Sequence, residues 1–367
     1  MTGTEAYLAL LRAALWGSDI PAGEELSPVL DEILELADRQ KTRGLIYDQL
    51  LRSDCPVPGQ TAAGMQQLLY RILTTHQRLD DALVRVVSTL QQADIPCVLL
   101  KGQGVARLYP SPMLRECGDI DLYIGAERLE QAVLALTPIA DKVDDQLRKK
   151  HWEIWIGESE IELHQHMMVP ETQRLIHFYQ PLETDGLSRN LVPLDFGSIS
   201  VDTPADTFNA FYLFYHAWHH FVGSGIGFRQ LCDWTLLMHM RRDHIDRSQL
   251  HAMLEGMRLL GPWQVFGCIA VHDLGLPETD FPFYDGTKLS KSRRILDTIL
   301  SEGNFGHGIR HRRPRPKGYL ASKTYSFGLH VCRFFQILRL APGEALRCFR
   351  IVIIRGIHRV YKDLFHR

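Results

Sequence analysis

Gly118-Asp119-Ile120-Asp121-Leu122-Tyr123-Ile124 is the stretch on which the fold turns. In an extended chain successive side chains point to opposite faces, so Asp119 and Asp121 share one face while Ile120 and Leu122 enter a core. Two carboxylates side by side repel unless a cation shares them. A hard divalent ion such as Mg²⁺ takes one or two carboxylates and completes its shell with water and phosphate oxygens, which is what this pattern offers. The plain alternative is a solvated strand end, since short acidic patterns are common.

Upstream, Ile95-Pro96-Cys97-Val98-Leu99-Leu100 is a short apolar run that reads as a buried strand. It meets Lys101-Gly102-Gln103-Gly104, where glycines permit close backbone approach before a helix expected over 105–109. Downstream, 128–136 reads as a helix, and 152–156 and 160–166 as two strands around Gly157. The second strand supplies a third carboxylate. Glu162 and His164 share a face, and because Glu160 shares it too, spacing alone does not separate the two glutamates.

Further out the period changes. Apolar residues recur at helical spacing from Thr4 to Gln92, for example Leu79, Leu83, Val86 and Leu90. Thr203-Pro204-Ala205-Asp206 reads as an N-cap, a first-turn proline and an acid opening a helix through Phe211, Phe214 and His219. Gly223, Gly225 and Gly227 break the run before a helix over 228–240. The expected architecture is therefore α+β, a small mixed sheet with helices flanked by helical regions. The expected divisions are an N-terminal helical region (1–92), an α/β core (93–200) and a C-terminal helical region with a basic tail (201–367).

The chain has 367 residues, 45% of them hydrophobic and 23% charged, which suits folded cores and excludes a disordered chain or a small disulfide scaffold. Seven cysteines, odd in number and without a C-x-x-C pair, point to a reducing compartment and away from a thiolate zinc site. Residues 1–6 lack a charged segment leading into an apolar one, and no 18-residue apolar window occurs. A cytoplasmic protein without a transmembrane segment is the expectation. The net charge of −2 conceals an asymmetry: from Ser301 onward 14 Lys and Arg face 3 Asp and Glu, against 27 and 40 before it.

The run 97–102, then Leu108-Tyr109-Pro110, Arg115, Asp119-Ile120-Asp121-Leu122 and Ile161-Glu162-Leu163-His164 resembles a nucleotidyltransferase-like family of the polymerase-beta superfamily. His216, His220 and the segment 225–234 resemble the helical half of that family, so the likeness spans about residues 20–260. It implies a glycine-containing turn at Lys101 and Gly102, metal-binding acids Asp119 and Asp121, and a third acid, Glu162, with Glu160 as the substitute. The sequence departs from the superfamily's Gly-Ser turn, having Lys-Gly, and sixteen residues separate Gly102 from Asp119. Lys101 then stands either as a point-charge phosphate ligand or as a structural group.

The activity so implied is transfer of a nucleoside monophosphate from a nucleoside triphosphate such as ATP to an acceptor hydroxyl, with Mg²⁺ or Mn²⁺ on Asp119, Asp121 and Glu162. Nucleotide contacts are expected from Lys101, Gly102, Gln103, Gly104 and Arg115, and by resemblance from His220, Arg229 and Asp233 in the cleft. The acceptor is open: small molecule, peptide, protein or RNA. Competing readings are a non-catalytic nucleotide-sensing or partner-binding module and a phosphotransferase. Arg229 and Asp233, four apart, read most simply as a helix ion pair. His164 with His166, and His216 with His219 and His220, have metal-ligand spacings, but a core or pocket-wall role suits the helical set better. The segment 334–365 mixes arginines with isoleucines, and three readings stand: a last bundle helix, a peripheral contact with an anionic membrane, or a polyanion contact.

Overall fold

A computed structural model of the protein describes residues 1–144, 151–170 and 172–304, with scattered positions between 318 and 353. The Arg- and Pro-rich stretch 310–317, whose composition reads as an exposed loop, and most of the basic segment 334–365 lie outside the described residues. Seven strands form one mixed sheet: β1 (Val98–Leu99), β2 (Asp119–Tyr123), β3 (Lys142–Asp144), β4 (His151–Ile156), β5 (Ser159–His164), β6 (Val192–Asp195) and β7 (Ser200–Thr203). Their order is β3-β4-β5-β2-β1-β7-β6. β2 runs parallel to β5 and β1 to β7, while the remaining neighbours are antiparallel.

Alternation gives the sheet two unlike faces. Ile120, Leu122, Ile154, Ile156, Ile161 and Leu163 pack on Leu79, Leu83, Val86 and Leu90 of a long helix and on Leu129, Ala132, Val133 and Leu136 of a short one. The helices along the chain are α1 (Gly3–Trp16), α2 (Gly23–Leu26), α3 (Leu30–Gln40), α4 (Arg43–Arg52), the long α5 (Gly59–Gln92), α6 (Lys101–Ala106) and the short α7 (Leu129–Leu136). They continue as α8 (Gln173–Gly186), α9 (Asp206–Gly223), α10 (Phe228–Met240), α11 (Arg247–Gly256), α12 (Leu260–His272) and α13 (Leu289–Glu302). The other face of the sheet carries Asp119, Asp121, Glu160 and Glu162.

A second core joins the two ends of the described chain. Leu10, Ile33 and Ile46 from the N-terminal helices share it with Phe214, Phe228, Trp234, Trp263 and Ile299 from the C-terminal ones. Each fully buried Phe there contributes about 1.5–3 kcal/mol. The buried Gln40 ties the two sets: its amide donates to Ile299 O at 3.0 Å and its oxygen accepts from Phe228 N at 3.1 Å. Five cysteines (Cys55, Cys97, Cys117, Cys232 and Cys268) are free thiols. Among the described residues no helix is long and apolar enough to cross a membrane.

Local departures from the sequence pattern have physical causes. The first strand is only Val98–Leu99, because Leu100 already leads into α6, whose span opens at Lys101, is kinked at the non-helical Gly102 and ends at Ala106. The segment around Thr203 is the other. Thr203 ends β7 and donates its hydroxyl to Val192 O at 2.9 Å, and α9 begins at Asp206 after Ala205. The helix starts later than the Thr-Pro pattern suggests, with Ala205 as its N-cap residue, so Thr203 continues a strand and does not cap it. β5 stops at His164, two residues short of the expected end. Strand β3, helix α8 and the β6–β7 hairpin are not among the elements expected from the sequence.

Candidate active site

Parallel pairing of β2 with β5 sets Asp121 beside Glu162 and Asp119 beside Glu160. One ligand atom from each of Asp119, Asp121 and Glu162 lies within 4.8 Å of the other two. Among the described residues Glu160, although it shares the face, is not in that convergent group. Asp121 is 1% exposed, while Asp119 and Glu162 are only partly covered, so the group opens toward solvent on one side.

A lysine and a histidine already lean on Asp121. Lys101 Nζ lies 3.1 Å and His164 Nε2 2.9 Å from Asp121 Oδ1. Burial would raise the Asp121 carboxyl, but the Lys101 charge and the His164 bond outweigh it and hold the group well below the usual carboxylate range. Reciprocally, burial would lower Lys101 and His164, yet both are raised, Lys101 by the Asp121 charge and His164 by its bonds to Asp121 and Glu162. Asp119 behaves oppositely. Burial and the neighbouring charge of Asp121 push it up, with Lys101 and Arg229 pulling the other way.

The turn ahead of this face depends on glycine at one position. Gly102 has φ +46° and ψ −120°, and a Cβ there would sit 3.3 Å from Asp119 O. An L side chain would strain this backbone and crowd the strand that carries the acids. Next to it Gln103 is fully buried, with neither amide atom hydrogen-bonded among the described residues. Gly104 packs against Leu99 and Thr203.

Behind the acids lies a buried bracing network. Arg115 holds Asp233 by two bonds, Nε to Oδ1 at 2.8 Å and Nη2 to Oδ2 at 2.7 Å, and the Tyr109 hydroxyl donates to Asp233 Oδ1 at 2.8 Å. The expected i, i+4 pair of Arg229 with Asp233 is thus replaced by a pair spanning 118 positions, because Asp233 faces the interior where Arg115 enters. Arg229 instead donates Nη1 to Glu116 O at 2.8 Å, and among the described residues its Nε has no hydrogen-bond partner. Glu116 also accepts from Arg43 N at 2.8 Å and Arg43 Nε at 3.1 Å, so α4, α10 and the lead-in to β2 are clamped together.

The histidines divide into two groups. His166 lies beyond β5 and pairs with the buried Glu183 at 3.0 Å, so it does not converge with His164. On α9 the Nε2 atoms of His216 and His220 are 3.2 Å apart. Burial, then the charges of Lys101 and His220, drive His216 well below its ordinary value. Tyr212, one turn earlier, is fully buried and raised chiefly by burial, with Lys101 opposing. The sequence reading missed Tyr212, Glu183, His151 and the Arg43–Glu116 clamp, whose partners lie on separate elements.

As a donor set, three converging carboxylates suit a hard divalent cation; Asp119 is pushed up first by burial and then by the charge of Asp121, and a cation between the two would offset that second effect. No curated protein and no solved structure matches the chain. A family model described as an uncharacterised nucleotidyltransferase matches residues 29–272, about two thirds of the chain, from α3 to the end of α12. The matched span contains the acids, the Gly102 turn and the Arg115–Asp233 brace, and it supports a general nucleotidyltransferase role. The chain belongs to this uncharacterised nucleotidyltransferase family.

Proposed function

We propose that the protein moves a nucleoside monophosphate from a nucleoside triphosphate to an acceptor hydroxyl, releasing pyrophosphate. The observation that carries this reading is the convergence of Asp119, Asp121 and Glu162 on the polar face beside the Gly102 turn. These three would hold Mg²⁺ or Mn²⁺, and what a bound divalent ion supplies is charge stabilisation on the attacking and leaving oxygens. The acceptor oxygen forms a bond to the α-phosphorus as the bond to the β-phosphate oxygen breaks, and Glu162 takes the hydroxyl proton. Lys101 keeps Asp121 ionised and adds positive charge next to the phosphates. Arg229, whose Nε has no hydrogen-bond partner among the described residues and whose charge acts on Asp119, is the second cation we assign to the triphosphate, and we assign His220 to the nucleotide as well. Arg115 and Asp233 hold the lead-in to β2 in position.

The test is to incubate the protein with each labelled triphosphate, Mg²⁺ or Mn²⁺ and a cell extract, and to follow pyrophosphate. Metal-dependent release that Asp119→Ala and Asp121→Ala abolish supports the reading. Equal release by wild type and both variants overturns it. A nucleoside diphosphate product would instead identify a phosphotransferase, and nucleotide binding without turnover a sensing module.

A further inference from the structure

The polar face continues past the acid group onto β4. His151 and His164 are directly opposed across the β4–β5 hairpin, and Glu162 lies two residues from His164 on the same face. Their imidazole centroids are 5.2 Å apart. His151 Nε2 is 3.5 Å from Glu162 Oε1, and His164 Nε2 is 3.2 Å from Glu162 Oε2. One ligand atom from each of the three lies within 4.8 Å of the others. Around an ion with bonds of about 2.1 Å, neighbouring donors are separated by about 3.0 Å at a right angle and about 3.4 Å at a tetrahedral angle. The two histidine–carboxylate separations fall close to these values, and the two imidazoles bring ligand atoms within 4.8 Å of each other.

We infer that His151, His164 and Glu162 form a second cation site, selective for Zn²⁺ or a similar transition ion and sharing Glu162 with the acid group. Two imidazoles and a carboxylate are the donor set of a borderline ion, whereas Asp119 and Asp121 offer only hard oxygen. Glu153, paired across the strands with Glu162 and 3.4 Å from His151 Nε2, adds negative charge at the same place. Without an ion His164 Nε2–H is directed to Asp121 Oδ1 at 2.9 Å, and His151 Nε2 stands 3.4 Å from Glu153 Oε1. The two states exclude each other, because a ligating nitrogen carries no proton.

Equilibrium dialysis of the untagged full chain against Zn²⁺ tests the site without nucleotide, so its outcome is independent of the transfer reading. The expected result is one Zn²⁺ per chain that a roughly thousandfold excess of Mg²⁺ does not displace. His151→Ala should weaken that binding by about 100-fold or more, while Asp119→Asn should retain it. Circular dichroism checks the fold, and His151→Gln, which keeps a side chain of similar size, carries the test if the alanine variant is perturbed. Zn²⁺ fully displaced by Mg²⁺, or bound equally by wild type and the His151 variants, overturns the inference.

Discussion

Asp121 is the residue on which the site's electrostatics turn. Fully buried, it would be costly as an anion, yet Lys101 and His164 keep it charged. Replacing Lys101 by Met removes a cation that competes for Asp121 Oδ1 and that supplies charge to the phosphates. Expected outcomes are tighter Mn²⁺ binding, read by electron paramagnetic resonance, and transfer slowed by about 100-fold. His216 gives a pH signature. Its folded-state value lies below the unfolded one, so the stability it contributes is fully present above about pH 6.5 and is lost as pH falls, by up to about 1.4 kcal/mol per unit. His216→Gln should flatten the fall of Tm between neutral and mildly acidic pH; an unchanged slope would show that His216 is not the group being charged.

Elements are held in register by two local devices. At the β1–α6 junction, Gly102→Ala places a Cβ on a backbone that L residues rarely adopt, costing about 1–3 kcal/mol and shifting Asp119. Chemical denaturation should report the loss, together with weaker metal binding than in Gly104→Ala, where φ is not positive. Between the lead-in to β2 and α10, the Arg115–Asp233 pair is buried on both sides. Removing one partner alone, as in Asp233→Leu, should cost about 3–5 kcal/mol, and the double variant Arg115→Met with Asp233→Leu should recover much of it. A double-mutant cycle in urea measures this. Additive losses would show that each side chain acts through other neighbours.

For the whole molecule, the shared core of N- and C-terminal helices means that α1, α3 and α4 support α10 and α13. Deleting residues 1–56 should therefore expose Phe228 and Ile299 and replace a cooperative thermal transition by a broad one with dye-binding apolar surface. The sheet's polar face was legible in the sequence because period-two alternation fixes which side Asp119, Asp121 and Glu162 share. The choice between Glu160 and Glu162 was not, since it depends on the β2–β5 register. β6 and β7 escaped notice because four-residue strands, one containing Pro193, carry too little pattern. The Arg115–Asp233 brace joins segments 118 positions apart that no local spacing announces, and the opposition of His151 with His164 depends on the β4–β5 register and on β4 beginning at His151, one residue before the expected strand.

Anomalous scattering from crystals grown with Mn²⁺ and a non-hydrolysable nucleoside triphosphate addresses the metal site directly. Manganese bound by Asp119, Asp121 and Glu162, with phosphate oxygens completing its shell next to the Gly102 turn, is the expected result. Nucleotide seated elsewhere, or an acid group that binds no manganese while Lys101 stays on Asp121, would contradict it.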